Sequence, residues 1–139
     1  MSSDRSEPTL VRWFPHLCIA QGILLVLQGF LGGRGLFKNH DLIEVHGYVG
    51  EFIFLLAAVI VIAAWQGRQT GRLGKPELVI SLINIALVIA QLGLGFSTRD
   101  SVDAAAWHLA NAVLVSGTTF ALIALSLRRP MPAEPMINQ

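Results

Sequence analysis

The chain has 139 residues, of which 53% are hydrophobic and only 14% are charged, and its formal net charge is +1. Average soluble domains carry about 25% charged residues, so the composition argues against an ordinary water-soluble domain. No stripe of basic residues is present, which excludes nucleic acid as a partner.

The hydrophobic residues are gathered into four blocks, at approximately residues 14–31, 45–65, 78–96 and 104–127. Each block approaches the ~20 residues that a helix needs to cross a ~30 Å hydrocarbon core. Backbone polar groups in lipid must be satisfied within the segment, which favours helices. We therefore predict an all-α integral membrane four-helix bundle over residues 14–127. A segment of residues 1–13 precedes it, and a flexible, proline-rich tail of residues 128–139 follows.

The distribution of Lys and Arg predicts the orientation in the membrane. Seven of these residues lie in the N-terminal segment, the middle loop and the tail: Arg5, Arg12, Arg68, Arg72, Lys75, Arg128 and Arg129. The other two loops contain Arg34, Lys38 and Arg99. Because positive residues are retained on the cytoplasmic side, both termini are expected in the cytoplasm, with the bundle in a bacterial inner membrane.

The first predicted helix carries two amides seven residues apart, Gln21 and Gln28, which therefore share one face. The second begins near His46, with the small residue Gly50 one turn further along and a carboxylate at Glu51. An ionisable residue inside a membrane helix is a candidate functional group, so Glu51 is a possible proton carrier.

The third and fourth helices repeat the pattern of the first two. A shift of 63 residues, reduced to 62 after the loop, pairs similar residues: Gln21 with Asn84, Gln28 with Gln91, His46 with His108, and Gly50 with Ala112. Each unit has two membrane crossings, so the two units enter from the same side. The pattern predicts a parallel repeat of two helical hairpins, residues 14–65 and 78–127, related by an axis along the membrane normal.

His46 and His108 become symmetry mates under this repeat, so we expect them to face each other across the bundle axis. Imidazole is the commonest protein ligand for metals, and helix bundles hold cofactors between facing helices. A haem b with both histidines as iron ligands fits this arrangement. The small residues Gly50 and Ala112 would leave room for the porphyrin, and Arg34 and Arg99 could pair with its propionates. Cys18 is the only cysteine, so a covalent C-x-x-C-H attachment is excluded.

Two other interpretations of the histidines remain open. Both could be interfacial side chains that reach toward lipid headgroups. Alternatively, they could join loop carboxylates in a surface metal site, because mixed His and carboxylate ligands suit zinc, copper or iron. The residues available for such a site are His40, Asp41, Glu44, His46, Asp100, Asp103 and His108.

Two stretches of the chain resemble the haem A synthase family: residues 21–55, with LQGFLGG and EVHGYVGEFIFL, and residues 87–114, LVIAQLGLGFSTRDSVDAAAWHLANAVL. Members of that family have two four-helix halves, each with histidines opening its second and fourth helices. The resemblance covers one such half and implies that His46 and His108 match its haem-ligating pair. It implies a simpler haem-binding relative, since one half holds one histidine pair. The chain is also similar to small uncharacterised four-helix bacterial membrane proteins with a histidine before L-x-N-A.

The sequence therefore predicts a cytochrome b-like membrane protein with one haem near the extracytoplasmic face. Electron transfer is the expected work, because no nucleophile, general-base pair or cofactor-binding loop is evident in the sequence. The expected partners are the lipid bilayer and either a redox partner or other membrane subunits. The alternative function is a cofactor-free accessory or structural subunit of a larger membrane complex. Electron transfer and the accessory-subunit alternative both favour a non-enzymatic role.

Overall fold

The computed structural model describes residues 8–98 and 100–128. These residues form four α-helices: α1 (Thr9–Phe37), α2 (Asp41–Gln69), α3 (Lys75–Ser97) and α4 (Val102–Ser126). The prediction of an all-α four-helix bundle is confirmed, and all four helices are long and apolar enough to cross a membrane. The first seven residues, Arg99 and residues 129–139, which include most of the predicted tail, lie outside the described part of the chain.

Helices α1, α2 and α3 extend past their hydrophobic blocks at both ends, and α4 begins two residues before its block and ends one residue before the block does. The helix starts carry recognisable signals: α1 follows Pro8, and Pro76 stands in the first turn of α3. At the start of α4, the Ser101 hydroxyl accepts a 3.2 Å hydrogen bond from the amide of Ala104. The turn after α2 contains Gly71 at φ 69°, a backbone conformation that glycine adopts without steric cost.

Each helix packs against two neighbouring helices and lies diagonally opposite the third. α1 contacts α2 and α4, and α3 also contacts α2 and α4. The diagonal pairs are therefore α1 with α3 and α2 with α4. The α1–α2 and α3–α4 connections lie at one end of the bundle, which we call the histidine end. The opposite end, where α1 begins and α4 ends, is called the termini end.

The distribution of polar residues is the reverse of that in a soluble bundle. Large apolar side chains cover the outside, where Phe30 is 61% exposed and Val113 is 71% exposed. Buried positions include the polar residues Gln21, Ser81, Asn84, Asn111 and Thr119. Because buried polar groups need partners, Ser81 bonds the Glu77 carbonyl within α3, and the other four side chains connect the helices from within.

One buried amide pair crosses the bundle axis between the diagonal helices α1 and α3. Gln21 Nε2 donates a 2.8 Å hydrogen bond to Asn84 Oδ1. The Asn84 amide nitrogen then donates to the hydroxyls of Thr118 at 2.8 Å and Thr119 at 3.0 Å, both in α4. A single amide therefore links three of the four helices.

Apolar layers lie on both sides of this amide layer. Toward the termini end lie Phe14, Cys18, Ile60, Ala63, Ala64 and Leu122. Toward the histidine end lie Ile53, Ala57, Val88 and Val115. The amide layer is thus enclosed by apolar side chains, which strengthens its hydrogen bonds and raises the cost of breaking one.

We expect Asn84→Leu to lower the free energy of unfolding by about 1–3 kcal/mol, because Gln21 and the two threonines lose a buried partner. Adding Gln21→Leu should cost less than the sum of the two single changes, since the double variant leaves no orphaned amide. SDS titration in mixed micelles measures all three variants. Ser97→Ala is the control, because that hydroxyl bonds only the carbonyl of Gly93 in its own helix. Strictly additive effects would contradict the coupling.

Candidate functional site

His46 lies in the second turn of α2 and is held against α1. Its Nδ1 is 3.1 Å from the backbone carbonyl oxygen of Gln28. A carbonyl only accepts, so Nδ1 carries the proton, and in the neutral ring Nε2 keeps its lone pair. The ring also packs on Gly32, where an added Cβ would lie 3.1 Å from His46 Cε1. The glycine therefore provides the space that the ring occupies.

His108 in α4 has the same kind of contacts with α3. Its Nδ1 is 3.1 Å from the backbone carbonyl oxygen of Gln91. A Cβ added at Gly95 would lie 3.2 Å from His108 Cε1. Both rings are thus held by one backbone carbonyl and one glycine of the preceding helix.

The two imidazoles meet across the bundle axis. Their ring centroids are 6.2 Å apart, and the ring planes are inclined by 60°. Both rings are half-buried. The structure therefore brings His46 and His108 together between the diagonal helices α2 and α4.

The two histidines differ in what contacts Nε2. In His108 this nitrogen lies 3.1 Å from Gln91 Nε2, so with Nδ1 protonated it accepts the Gln91 amide hydrogen. Asn111 fixes the orientation of that amide by donating to Gln91 Oε1 at 2.7 Å and to the Leu87 carbonyl at 2.9 Å.

No equivalent of Asn111 serves the other histidine. With the shift of 62 residues, the position that matches Asn111 is Val49, which has no amide to donate. Gln28 Oε1 is consequently buried with no hydrogen-bond partner among the described residues. The Gln28 side chain is therefore an incompletely satisfied amide beside the histidine pair.

Gly50 and Ala112 lie one turn beyond the histidines, as the sequence placed them. A Cβ added at Gly50 would lie 3.1 Å from Gln28 Nε2 and 3.4 Å from Leu92 Cδ2. Gly50 thus makes room for the Gln28 amide. Ala112 is half-buried, and its carbonyl accepts a 2.8 Å hydrogen bond from Ser116.

Most of the charged or polar residues near the histidines in the sequence occupy exposed positions. Arg34 is exposed in the last turn of α1, and Arg99 lies outside the described residues. Glu51 is exposed on the outer surface of α2. His40 is likewise exposed, at the N-cap of α2.

A surface metal site made from the loop ligands is not assembled in the described part of the chain. No group of three or more His, Cys, Asp or Glu side chains there is placed to hold a metal ion. Glu44 instead accepts a 3.0 Å hydrogen bond from the Tyr48 hydroxyl within α2. A ligand at this end would therefore rely on the histidine pair.

Sequence reasoning missed three contributors to the site. Gly32 and Gly95 are not assigned to the histidine site by the sequence analysis, although each one accommodates a histidine ring. Asn111 was not singled out, although it orients Gln91. A signal was present, because Asn111 is a polar residue three positions after His108 in an otherwise apolar helix, and that spacing puts both on one face.

Comparisons with protein-family models, with curated proteins and with solved structures find no match for this chain. Its function is therefore inferred from the geometry of the site and the chemistry of its residues.

Gly32→Ala should lower the free energy of unfolding by about 1–3 kcal/mol, because the new methyl group meets an imidazole that a hydrogen bond to Gln28 holds in place. Gly33→Ala is the matched control: nothing lies within 4 Å of its Cβ position, and alanine favours a helix over glycine by about 0.5–1 kcal/mol. SDS titration of both variants should give opposite signs. Equal effects would show that the ring does not depend on Gly32.

Proposed function

We propose that this chain is an integral membrane protein that binds one haem b between His46 and His108 and transfers electrons. The observation that carries the proposal is the pair of imidazoles, 6.2 Å apart, each with Nδ1 bonded to a backbone carbonyl. It comprises the membrane placement, the parallel repeat of two hairpins and the bound haem.

Helix length and surface chemistry support the membrane placement. The four helices have 23 to 29 residues, against the ~20 needed to cross a bilayer. Their outer faces expose large apolar side chains, and Gln21 and Asn84 are buried. The ratio of seven to three in Lys and Arg supports cytoplasmic termini, which would turn the histidine end to the extracytoplasmic side.

Contacts between equivalent positions support the parallel repeat. Gln21 is bonded to Asn84, its equivalent 63 residues later. His46 meets His108, and each ring uses a carbonyl and a glycine at equivalent positions. Equivalent residues meet at the axis of a two-fold arrangement, as expected for two hairpins related by an axis along the membrane normal.

The donor set of the histidine pair fits a haem iron. A nitrogen ligand lies about 2.0–2.1 Å from a transition metal, so two imidazoles on opposite sides of one ion have centroids about 6.3 Å apart. The observed separation is 6.2 Å. Metal-ligating histidines usually donate their other N–H to a carbonyl or carboxylate, which orients the ring and raises its basicity. Both histidines make that bond.

The residues around the two rings also fit a haem, provided that two side-chain amides turn. Gly32 and Gly95 provide the space that the two rings occupy, and the small residues Gly50 and Ala112 lie one turn further along. The side-chain amides of Gln28 and Gln91 occupy the space beside the rings and must turn aside to admit a porphyrin. Gln28 has the lower cost of turning, because its Oε1 already lacks a partner. Arg34, exposed in the last turn of α1, would be the cation for a propionate at the rim.

A bound b-type haem supplies a one-electron couple whose potential depends on its ligands and on the dielectric around it. The chain contributes two neutral imidazoles and a layer of apolar residues, Ile53, Ala57, Val88 and Val115, on the inner side of the site. Low polarity there disfavours the more highly charged oxidation state. We therefore propose electron exchange with a membrane partner at the histidine end.

One observation favours the second candidate, a cofactor-free accessory or structural subunit. The Gln91 amide already satisfies His108 Nε2, and Asn111 holds that amide in place. A ring with both nitrogens bonded within the protein needs no metal. In this alternative the amides and histidines serve only to join the helices.

The visible spectrum of the purified protein distinguishes the two candidates. Protein from haem-replete cells, purified in detergent, should show a sharp Soret band and split α and β bands on reduction. His46→Ala and His108→Ala should each abolish the split bands, because each removes one iron ligand. Free imidazole added to either variant should restore them in part, which a misfolded protein would not allow.

His40→Ala is the matched control, since this exposed imidazole lies six residues before His46 and outside the pair. Its spectrum should equal that of the unmodified chain. A colourless protein from haem-replete cells, or equal loss of the bands in His40→Ala, contradicts the haem proposal and leaves the structural subunit.

Gln91→Leu and Gln28→Leu make a second test. The first frees His108 Nε2 from its internal hydrogen bond, whereas the second removes an amide that bonds no ligand nitrogen. Removing one hydrogen bond of about 1 kcal/mol should raise haem affinity about fivefold in Gln91→Leu relative to Gln28→Leu. Titration of the haem-free protein with hemin gives both dissociation constants. Equal affinities would mean that Gln91 does not compete with the iron.

A further inference from the structure

A cleft at the termini end lies far from the histidine pair. It has a volume of about 420 Å³. Its walls come from the first turns of α1, the connection between α2 and α3, and the end of α4: Val11, Arg12, Phe14, Pro15, Arg72, Leu73 and Ser126. None of these residues contributes to the proposed haem site.

The charged side chains that line the cleft are both arginines, Arg12 and Arg72. Guanidinium groups match phosphate oxygens in a forked geometry and stay charged at all physiological pH values. Around the cleft the sequence adds Arg68, Lys75 and Arg128, with Glu77 as the single carboxylate among described residues near this end. The local field therefore favours an anion.

The remaining walls of the cleft are apolar apart from Ser126, whose hydroxyl donates to the carbonyl of Ile123 in its own helix. Phe14 is fully buried and Val11 is 4% exposed, so the accessible part of this wall comes from the half-buried side chains of Pro15 and Leu73. Leu73 packs against the same apolar layer. Pro15 has no backbone N–H, so this wall offers one donor fewer. A cation pair beside an apolar wall suits a ligand that has both a phosphate and a hydrocarbon part.

Two tryptophans mark the depth of the cleft. Trp13 follows Arg12 on α1, Trp65 lies near the end of α2, and each is 53% exposed. Tryptophans concentrate at the level of lipid headgroups. With the orientation proposed above, this level is the cytoplasmic leaflet, which carries the anionic lipids.

We propose that Arg12 and Arg72 bind the phosphate of an anionic phospholipid headgroup in this cleft, with the adjoining glycerol and acyl groups against Pro15 and Leu73. The site rests on the proposed membrane placement and is independent of haem. Free inorganic phosphate has the same charge chemistry without the apolar part, so the experiment must separate the two sources.

Native mass spectrometry of the detergent-purified full chain tests the site with phosphatidylglycerol, phosphatidylcholine and inorganic phosphate. Phosphatidylglycerol should bind at least about tenfold more tightly than phosphatidylcholine, as expected for two basic contacts to an anionic lipid. Arg12→Gln with Arg72→Gln should remove that preference. Millimolar inorganic phosphate should leave the bound lipid in place.

The matched control is Arg68→Gln with Lys75→Gln, which removes the same charge from the same end without altering the cleft lining. Its preference for phosphatidylglycerol should stay within about twofold of the unmodified chain, well short of the tenfold loss. Far-UV circular dichroism checks that both double variants remain helical.

Three results would overturn the site: equal binding of the two lipids, equal loss in both double variants, or displacement of the lipid by inorganic phosphate. Carbonate extraction of membranes tests the membrane placement separately. A chain that stays in the pellet but shows no lipid preference loses only this site. The haem spectrum is unaffected by either outcome.

Discussion

Gln21 donates a hydrogen bond to Asn84 across the axis of the bundle. The other contacts of the interior depend on the relative height of α1 and α3 that this bond sets. Both amides are buried between apolar layers, where an unpaired amide is costly. The bond therefore fixes α1 and α3 at one relative height. Gln28 and Gln91 lie seven residues further along, about 10.5 Å toward the histidine end. Their backbone carbonyls then hold His46 and His108 at equal depth.

One substitution between the two halves makes the histidine sites unequal. Asn111 in α4 holds the Gln91 amide against His108, whereas Val49 leaves the Gln28 amide unsatisfied beside His46. His46 therefore has the available nitrogen, and His108 would have to give up an internal hydrogen bond to bind a metal. A ligand that binds between the rings would engage the two imidazoles with different cost, even though their backbone contacts are the same.

The sequence was sufficient to predict the helices and the meeting of His46 with His108. Apolar blocks of membrane-spanning length define the helices, and rare polar residues at repeated spacing indicate which side chains meet at the axis. The sequence did not predict which way each amide turns. Gln91 bonds a histidine and Gln28 fills the space at Gly50, and this difference depends on tertiary neighbours, Asn111 and Leu92 among them. The room expected beside Gly50 is occupied for the same reason.

The central claim is that both imidazoles bind one haem iron through Nε2. Low-temperature electron paramagnetic resonance of the oxidised, haem-loaded protein tests it most directly, because the signal reports the axial ligands. Two imidazole ligands predict a low-spin ferric signal that changes to high spin in both His46→Ala and His108→Ala. A high-spin signal in the unmodified chain, or a low-spin signal that survives either substitution, would contradict the account.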